Sequence, residues 1–272
     1  MMRSMFSAVS GLKNHQVKMD VIGNNIANVN TVAFKSGRVT FQDIFNQTLK
    51  PASGANPNLG GINPQQVGLG VSIGTIDTMF TSTGAQRTDY ALDLSIEGDG
   101  FFVLMNGAGE ISYTRAGNFR LDDQGNLVNA NGLFILDQDG NAINLGGVQY
   151  HDIAINANGE MTGIPSGSST SQTIATLGIA TFTNTSGLQK AGNNTYKETA
   201  SSGSPAPGAT SVYKQAGFDG AGIINPGTLE MSNVDLSNEF TDMIITQRGY
   251  QANARVITVA DSLLEELVNL KR

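Results

Sequence analysis

From Leu236 onward, apolar and polar positions recur at alternating spacings of four and three: Leu236, Phe240, Met243, Gln247, Tyr250, Ala254, Ile257, Asp261, Leu264 and Val268. That 3.5-residue period keeps one seam of a helix against a partner helix. A shorter copy opens the chain, where Met2, Met5, Val9, Leu12, Met19 and Ile26 share a face that Gln16 and Gly23 interrupt. The Asn24-Asn25 pair predicts the end of this first helix, because an Asn side chain competes for nearby backbone groups. Residues 31–46 carry Val32, Phe34, Val39, Phe41, Ile44 and Phe45 without a clear period. Residues 50–70, with Pro51, Pro57, Pro64 and five glycines, read as a linker or long extended arm and not a core segment.

Beyond Val71 the signals turn to strands. Leu92, Leu94 and Ile96 alternate with Asp93, Ser95 and Glu97, the period of two of a half-buried strand. Phe101–Met105, Asn106-Gly107 and Ile111–Tyr113 predict a hairpin whose Asn-Gly turn takes positive φ. Asn131-Gly132 and Asn158-Gly159 mark further turns beside Leu133–Leu136 and Ile153–Ile155, Thr173–Phe182 is one more strand, and 200–211 is an exposed loop. The predicted class is α+β: helical ends over 1–28 and 233–272 pairing as a coiled coil, an arm over 29–75, and a mainly antiparallel β body over 76–232.

A C-terminal helix of about 36 residues would span roughly 54 Å at 1.5 Å per residue, longer than its N-terminal partner can cover. The surplus apolar surface is expected to bury itself between copies of the chain. Gln247 and Asp261 on the stripe would weaken that packing while fixing its register. Lys271 and Arg272 would favour the helix C-terminus through its dipole.

Composition narrows the class. Of 272 residues, 14% are charged and 33 are glycine, which suits a turn-rich protein that packs against copies of itself. A net charge of −7 argues against nucleic acid or an anionic membrane as partner. No apolar run approaches a membrane span, and no signal-peptide core follows Arg3, so export would use a route without a cleaved leader. With no cysteine and only His15 and His151, no catalytic, cofactor or metal site is predicted. Asp137-Gln138-Asp139-Gly140-Asn141 has the flavour of a calcium loop, but its Gly comes early and Val148 stands where the closing Glu belongs, so a β-turn is expected. Gly98-Asp99-Gly100 lacks the third glycine of a nucleotide loop, and Asp122-Asp123 and Glu265-Glu266 point different ways as solvated faces. A secreted adhesin or hydrolase with helical ends is the competing class, separated from a polymer subunit by whether filaments form without substrate.

Three blocks carry a family resemblance. The run from Met19 through Asn24, Asn25, Asn28 and Asn30 to Phe34-Lys35 resembles the N-terminal signature of the bacterial flagellar rod and hook proteins. Glu97–Phe102, Tyr113–Phe119 and Asp123–Val128 match in the middle, and Ser232–Ser237, Gln247–Gln251 and Leu267–Leu270 match at the end. Ala33 departs from the pattern, since relatives usually carry Gly there; it matters only if the position needs positive φ, and is read as tolerated variation.

The resemblance implies an axial flagellar subunit, not an enzyme, exported unfolded through the flagellar type III apparatus. Its terminal helices would form an inner coiled-coil domain, with the β body outside and the arm between. Subunit packing would use Met5, Val9, Leu12, Met19, Ile26, Leu236, Phe240, Met243, Tyr250, Ile257, Leu264 and Val268. Asn24, Asn25, Asn28, Asn30, Phe34 and Lys35 would form a joint between helix and arm where neighbouring subunits meet. Expected partners are further copies in a helical homopolymer, together with rod, hook-cap and hook–filament junction proteins. Gln247–Arg255 and Leu267–Arg272 lean toward a short hook protein, an extracellular universal joint whose subunits slide as it turns. The alternative is the distal rod, the drive shaft within the envelope, to which the chain length and residues 46–66 point.

Overall fold

The computed structural model describes residues 2–54, 60–146, 150–166, 170–205, 208 and 212–270. The fold is α+β, with a long helix at each end and mainly antiparallel β structure between them. It divides into two units, one of Met1–Ala27, Gly37–Thr78 and Val234–Arg272, the other of Asn28–Ser36 and Met79–Asn233. Residues 37–78 therefore group with the helices and 28–36 with the β body, where a separate arm over 29–75 was expected.

In the first unit, α1 (Met2–Ala27) lies antiparallel to α2 (Leu236–Asn269). Asn25 meets Glu239, Lys18 meets Asp242, and Gly11 meets Asn253. Asp235 caps α2 by accepting from the amides of Ser237 and Asn238, with Glu239 in the first turn where the helix dipole favours a carboxylate. The first helix runs two residues past the Asn pair expected to stop it, because Asn25 directs its side chain to Gly37 and away from its own backbone. Lys271, Arg272, Val148 and the His151 side chain lie outside what is described.

The seam keeps the expected period and changes its phase. On α2 the covered positions are Glu239, Met243, Thr246, Gly249, Tyr250, Asn253, Ala254, Ile257, Ala260 and Leu264, of which Thr246 and Ala260 are fully buried. Of the predicted stripe, Met243, Tyr250, Ala254, Ile257 and Leu264 are covered, whereas Leu236, Phe240, Gln247, Asp261 and Val268 are exposed, Phe240 at 51% and Val268 at 67%. On α1 the buried residues are Ala8, Gly11, Ile22 and Asn25, each one position before the predicted stripe. Met5, Leu12, Met19 and Ile26 are left half-buried, and Val9 is exposed. Small residues explain the rotation. A Cβ on Gly11 would come within 2.8 Å of Asn253 Nδ2, and one on Gly249 within 2.7 Å of His15 Cε1. The helices approach more closely on their small-residue faces than a stripe of Met, Leu and Phe would permit.

The expected arm is an antiparallel ribbon. β1 (Gly37–Asp43) pairs with β4 (Val71–Thr78) from Gly37↔Thr78 to Asp43↔Val71, with a bulge at Thr40/Phe41. Farther out, β2 (Asn46–Lys50) pairs with β3 (Gln65–Gly68), and Ser53 bridges Ile62. Asn14 Nδ2 donates to the Val71 carbonyl (2.6 Å), Ser10 Oγ accepts from the Val71 amide (3.3 Å), and His15 sits edge-on to Phe41, tying the ribbon base to α1. Its outer part is uncovered, with Phe45 74% exposed and Leu49 and Ile62 over half exposed.

The second unit is built around strand Phe101–Met105. Its unbroken apolar run reflects burial on both faces. Phe102 and Leu104 enter a core with Leu94, Ile96, Phe119, Ile135 and Ile179, while Phe101 and Val103 enter another with Tyr113, Leu136, Tyr196 and Tyr213. Phe80, Phe182 and Tyr196 pack edge-on around the Phe101 ring at 5.5–5.8 Å. The hairpin to Ile111–Thr114 forms as expected, but positive φ falls at Gly109, and Asn106 Oδ1 organises the loop by accepting from the amides of Ala108 and Glu110. The strand expected over Thr173–Phe182 is two strands, Gln172–Thr176 and Gly178–Ala180, in different sheets. Asp137 accepts from the amides of Asp139 and Asn141, the turn expected there. In the predicted exposed loop, Ser202 is buried, and residues 206, 207 and 209–211 lie outside the described residues.

Gly117 lies so close to Leu94 that an added Cβ would overlap the Leu94 carbonyl oxygen. Backbone must move to admit it, and overpacking of this kind costs about 3 kcal/mol. Gly117→Ala is expected to lower the unfolding free energy of the β unit by that amount, read as a lower midpoint in a urea titration, while Gly107→Ala, with open space around it, leaves it unchanged.

Candidate assembly site

The second unit holds its leading segment, Asn28–Ser36, by a buried ion cluster. Lys35 is 1% exposed, and its Nζ donates to Glu230 Oε1 (2.6 Å) and to the Thr81 carbonyl (2.8 Å). Arg115 reaches the other oxygen of Glu230 at 3.5 Å, donates to the carbonyls of Ile96 (3.2 Å) and Gly98 (2.7 Å), and lies over the Phe101 ring. One carboxylate thus serves two cations, and three carbonyl dipoles take up the excess positive charge. Burial lowers the Lys35 pKa most, Glu230 pulls it back up, and Arg115 adds a smaller lowering. Such a cluster adds little net stability over an apolar replacement, but removing one member strands the others without water. Its effect is to set register, since the backbone carbonyl of Glu230 also accepts from the Ala33 amide (2.9 Å).

Two asparagines act as clamps where the chain leaves each unit. In the second unit Asn233 accepts from the Ser36 amide (2.7 Å) and donates to the Met79 carbonyl (2.7 Å) and Thr81 Oγ1 (3.0 Å). In the first, Asn25 closes a two-way bond with Gly37 (2.9 Å each way) and donates to Glu239 Oε1 (2.9 Å). Asn233 reinforces a backbone bond already made from the Met79 amide to the Ser36 carbonyl (2.9 Å), and Asn25 ties α1 to the start of β1 and to α2.

The residues grouped as a joint therefore separate. Asn25 belongs to the helical unit, and Asn28, Phe34 and Lys35 to the β unit. Asn28 accepts from Thr31 through both side chain and backbone, and Phe34 lies beneath Lys190 Nζ at 4.9 Å. Asn24 and Asn30 are exposed. Ala33 has φ of 55° and is buried, so its position does demand the left-handed conformation, and the reading of harmless variation is corrected. Glu230, Arg115 and Asn233 were missed as site residues. Arg115 and Asn233 stood inside recognised motifs, whereas Glu230 gave no local signal and acquires its role only through folding.

The helical unit leaves a large apolar surface open. Phe240, Ile244 and Ile245 are exposed over the first half of α2, and Val256, Val259, Leu263 and Leu267 over the second. A groove of about 320 Å³ runs along the latter, closed by Ser4 and Arg255. Patches of this kind mark sites of protein association.

His15 is a titratable group held in the seam between α1 and α2. Its Nδ1 is buried without a partner, its ring fills the space above Gly249, and burial followed by Lys18 lowers its pKa below 6.5. With a lowered value the folded unit binds fewer protons than the unfolded chain, so this contribution is complete above about pH 6.5 and is lost as pH falls through the folded pKa. Glu239, whose pKa burial raises, titrates with the opposite sign, so the difference between variants isolates His15.

Three outcomes follow for thermal and urea melts. Between pH 7.5 and 5 the helical unit loses more stability in the wild type than in His15→Gln. Glu230→Gln, which leaves two buried cations facing a neutral amide, costs about 3–5 kcal/mol. Ala33→Gly stabilises the β unit by about 0.5–1 kcal/mol by relieving left-handed strain.

Comparison with known proteins accounts for this arrangement. Three family profiles match in order along the chain: flagella basal body rod protein over residues 5–35, the flagellar hook protein FlgE/F/G D1 domain over 95–163, and the flagellar basal body rod FlgEFG protein C-terminal region over 225–270. The flagellar basal-body rod protein FlgG of Bacillus subtilis is 47% identical over 272 residues, covering all of both chains. FlgG of Caulobacter vibrioides is 36% identical over 272 residues, covering 99% of this chain and all of its own. The flagellar hook protein FlgE of Borreliella burgdorferi is 30% identical over 449 aligned residues, again with full coverage. A chain with these matches from end to end belongs to the flagellar rod and hook axial proteins, which are structural and not enzymes.

Proposed function

We propose that the chain is a distal-rod subunit of the flagellar basal body, polymerising helically into the shaft that carries motor torque. The observation that supports this most is the 47% identity to a rod protein across all 272 residues of both chains. The sequence reading leaned to the hook on the terminal helix. Two hook proteins still speak for that: FlgE of Treponema pallidum is 56% identical over 134 residues, which make up 49% of this chain and only 29% of its own, and FlgE of Borreliella burgdorferi matches over full length at 30%. The first likeness is confined to part of each chain, and the second is weaker than the 47% full-length likeness to the rod protein.

The geometry gives the rod reading a mechanism. An antiparallel ribbon with exposed Phe45, Leu49 and Ile62 is marginal alone and gains stability once other copies cover it. A ribbon pinned on both sides resists bending, as a drive shaft requires. The open face of α2 supplies the other contact, and a head-to-tail polymer needs two different faces on each subunit. Under this reading the partners are further copies, the adjoining rod and hook components, and the flagellar export apparatus.

Electron microscopy of isolated hook–basal bodies with an antibody to the β unit tests the assignment. Label on the straight shaft is expected; label along the curved external segment would make this a hook protein. Deleting Leu263–Arg272 removes the end of the open helix face and is expected to abolish assembly while leaving the β unit folded by circular dichroism. A truncated chain that still polymerises would remove the helix face from the mechanism.

A further inference from the structure

A cleft of about 490 Å³ opens in the second unit between the segment 28–32, the turn at 129–131 and the hairpin turn at 193–194. Its walls carry six asparagines, Asn28, Asn118, Asn129, Asn131, Asn193 and Asn194, and among the described residues no lining side chain is charged or aromatic. Two of the six hold the walls. Asn194 Nδ2 donates to the Val32 carbonyl (3.0 Å), and Asn129 Oδ1 accepts from the amides of Asn131 and Leu133 (2.9 Å each). Asn193 and Asn194 both take positive φ, which fixes their tight turn. The side-chain amides of Asn118, Asn131 and Asn193 make no hydrogen bond within the described residues.

The chemistry of these walls selects a ligand class. Without a guanidinium or ammonium group the cleft has nothing to pair with phosphate or carboxylate, and without a carboxylate it has nothing to hold a hard cation. A polar lining disfavours an apolar ligand, and the lack of an aromatic face removes the platform on which a sugar ring stacks. What remains is a partner that offers neutral donors and acceptors in alternation. An asparagine amide has both, in the geometry of the peptide group itself, and an extended backbone presents both along its length.

We propose that this cleft receives an extended backbone segment from a second copy of the chain, bound by the amides of Asn118, Asn131 and Asn193. The proposal rests on the axial reading, in which each subunit must present a receptor face to a differently shaped face of the next. It places that receptor in the β unit, apart from the open helix surface. The cleft lies beside the family-signature segment, so a docked neighbour would press on Thr31 and Val32 next to the residues that the buried cluster holds.

Because the chain has no cysteine, single positions can be probed cleanly. Ala130 is exposed and lines the cleft, whereas Gln124 is exposed and does not. A photo-crosslinking phenylalanine analogue is placed at each position, and the chain is expressed in a strain lacking its own copy. Irradiated hook–basal bodies are expected to give a species of twice the chain mass from position 130 and not from 124. In parallel, Ala130→Cys and Asn131→Cys are treated with a maleimide as purified monomer and as assembled particle, and labelling is expected to fall about tenfold or more on assembly. Equal labelling in both states overturns the proposal while leaving the axial assignment intact. So does a crosslink at 130 to a species of another mass, including a glycan adduct. Particles that contain no copy of the chain, although it is secreted, overturn the axial reading and the cleft with it.

Discussion

The close approach of the two terminal helices is the constraint from which the rest of the helical unit follows. Gly11 opposite Asn253 and Gly249 beneath His15 leave room for backbones and no room for larger side chains. Once those faces are in contact, Val9, Leu236, Phe240 and Val268 of the predicted stripe stay exposed, and Met5, Leu12 and Met19 are only half-buried. A monomer optimised for itself would bury that stripe first, since each buried Leu or Phe side chain contributes about 1.5–3 kcal/mol. This chain buries Ala8, Thr246 and Ala260 instead and leaves Phe240, Ile244 and Val259 in solvent. Under the proposed function, this apolar surface is reserved for contacts between copies, which would couple completion of the fold to assembly.

The β unit is built on the opposite plan. Phe101–Met105 is packed on both sides, the leading segment is fixed by Lys35 and Glu230, and Asn233 gathers Ser36, Met79 and Thr81. Its polar groups are spent on internal register, and so this unit is expected to be folded before any neighbour arrives. A subunit with one finished body and one unfinished pair of helices can stay soluble at low concentration and still add readily to a growing end.

Much of this was legible in the sequence, and the failures share a cause. The period of both terminal stripes was readable, because helical geometry repeats residue by residue. Their phase was not, because it depends on which of two adjacent faces packs more closely, and Gly11 and Gly249, which make the contact, lie off the apolar stripe. The paired Asn24-Asn25 was read as a stop, although Asn25 has a long-range partner in Gly37. Pro51 and Pro64 argued for an irregular arm, yet a two-stranded ribbon accommodates proline at its edges and bridge positions. Ala33 stood out as a departure from the family pattern, but its need for positive φ is not visible in sequence, because its amide is fixed by Glu230, almost two hundred residues away. Glu230 itself was invisible for the same reason: a buried counterion is defined by what folds around it.

Hydrogen exchange on α2 and the ribbon, compared between monomer and assembled particle, tests most directly the claim that apolar burial in the helical unit is deferred to assembly. Amides near Phe240, Val259 and Phe45 should exchange by local opening in the monomer while those of Phe101–Met105 stay protected, and both groups should be protected in the particle. A monomer in which the helices and ribbon are already as protected as the β unit, with no gain on assembly, would contradict the account.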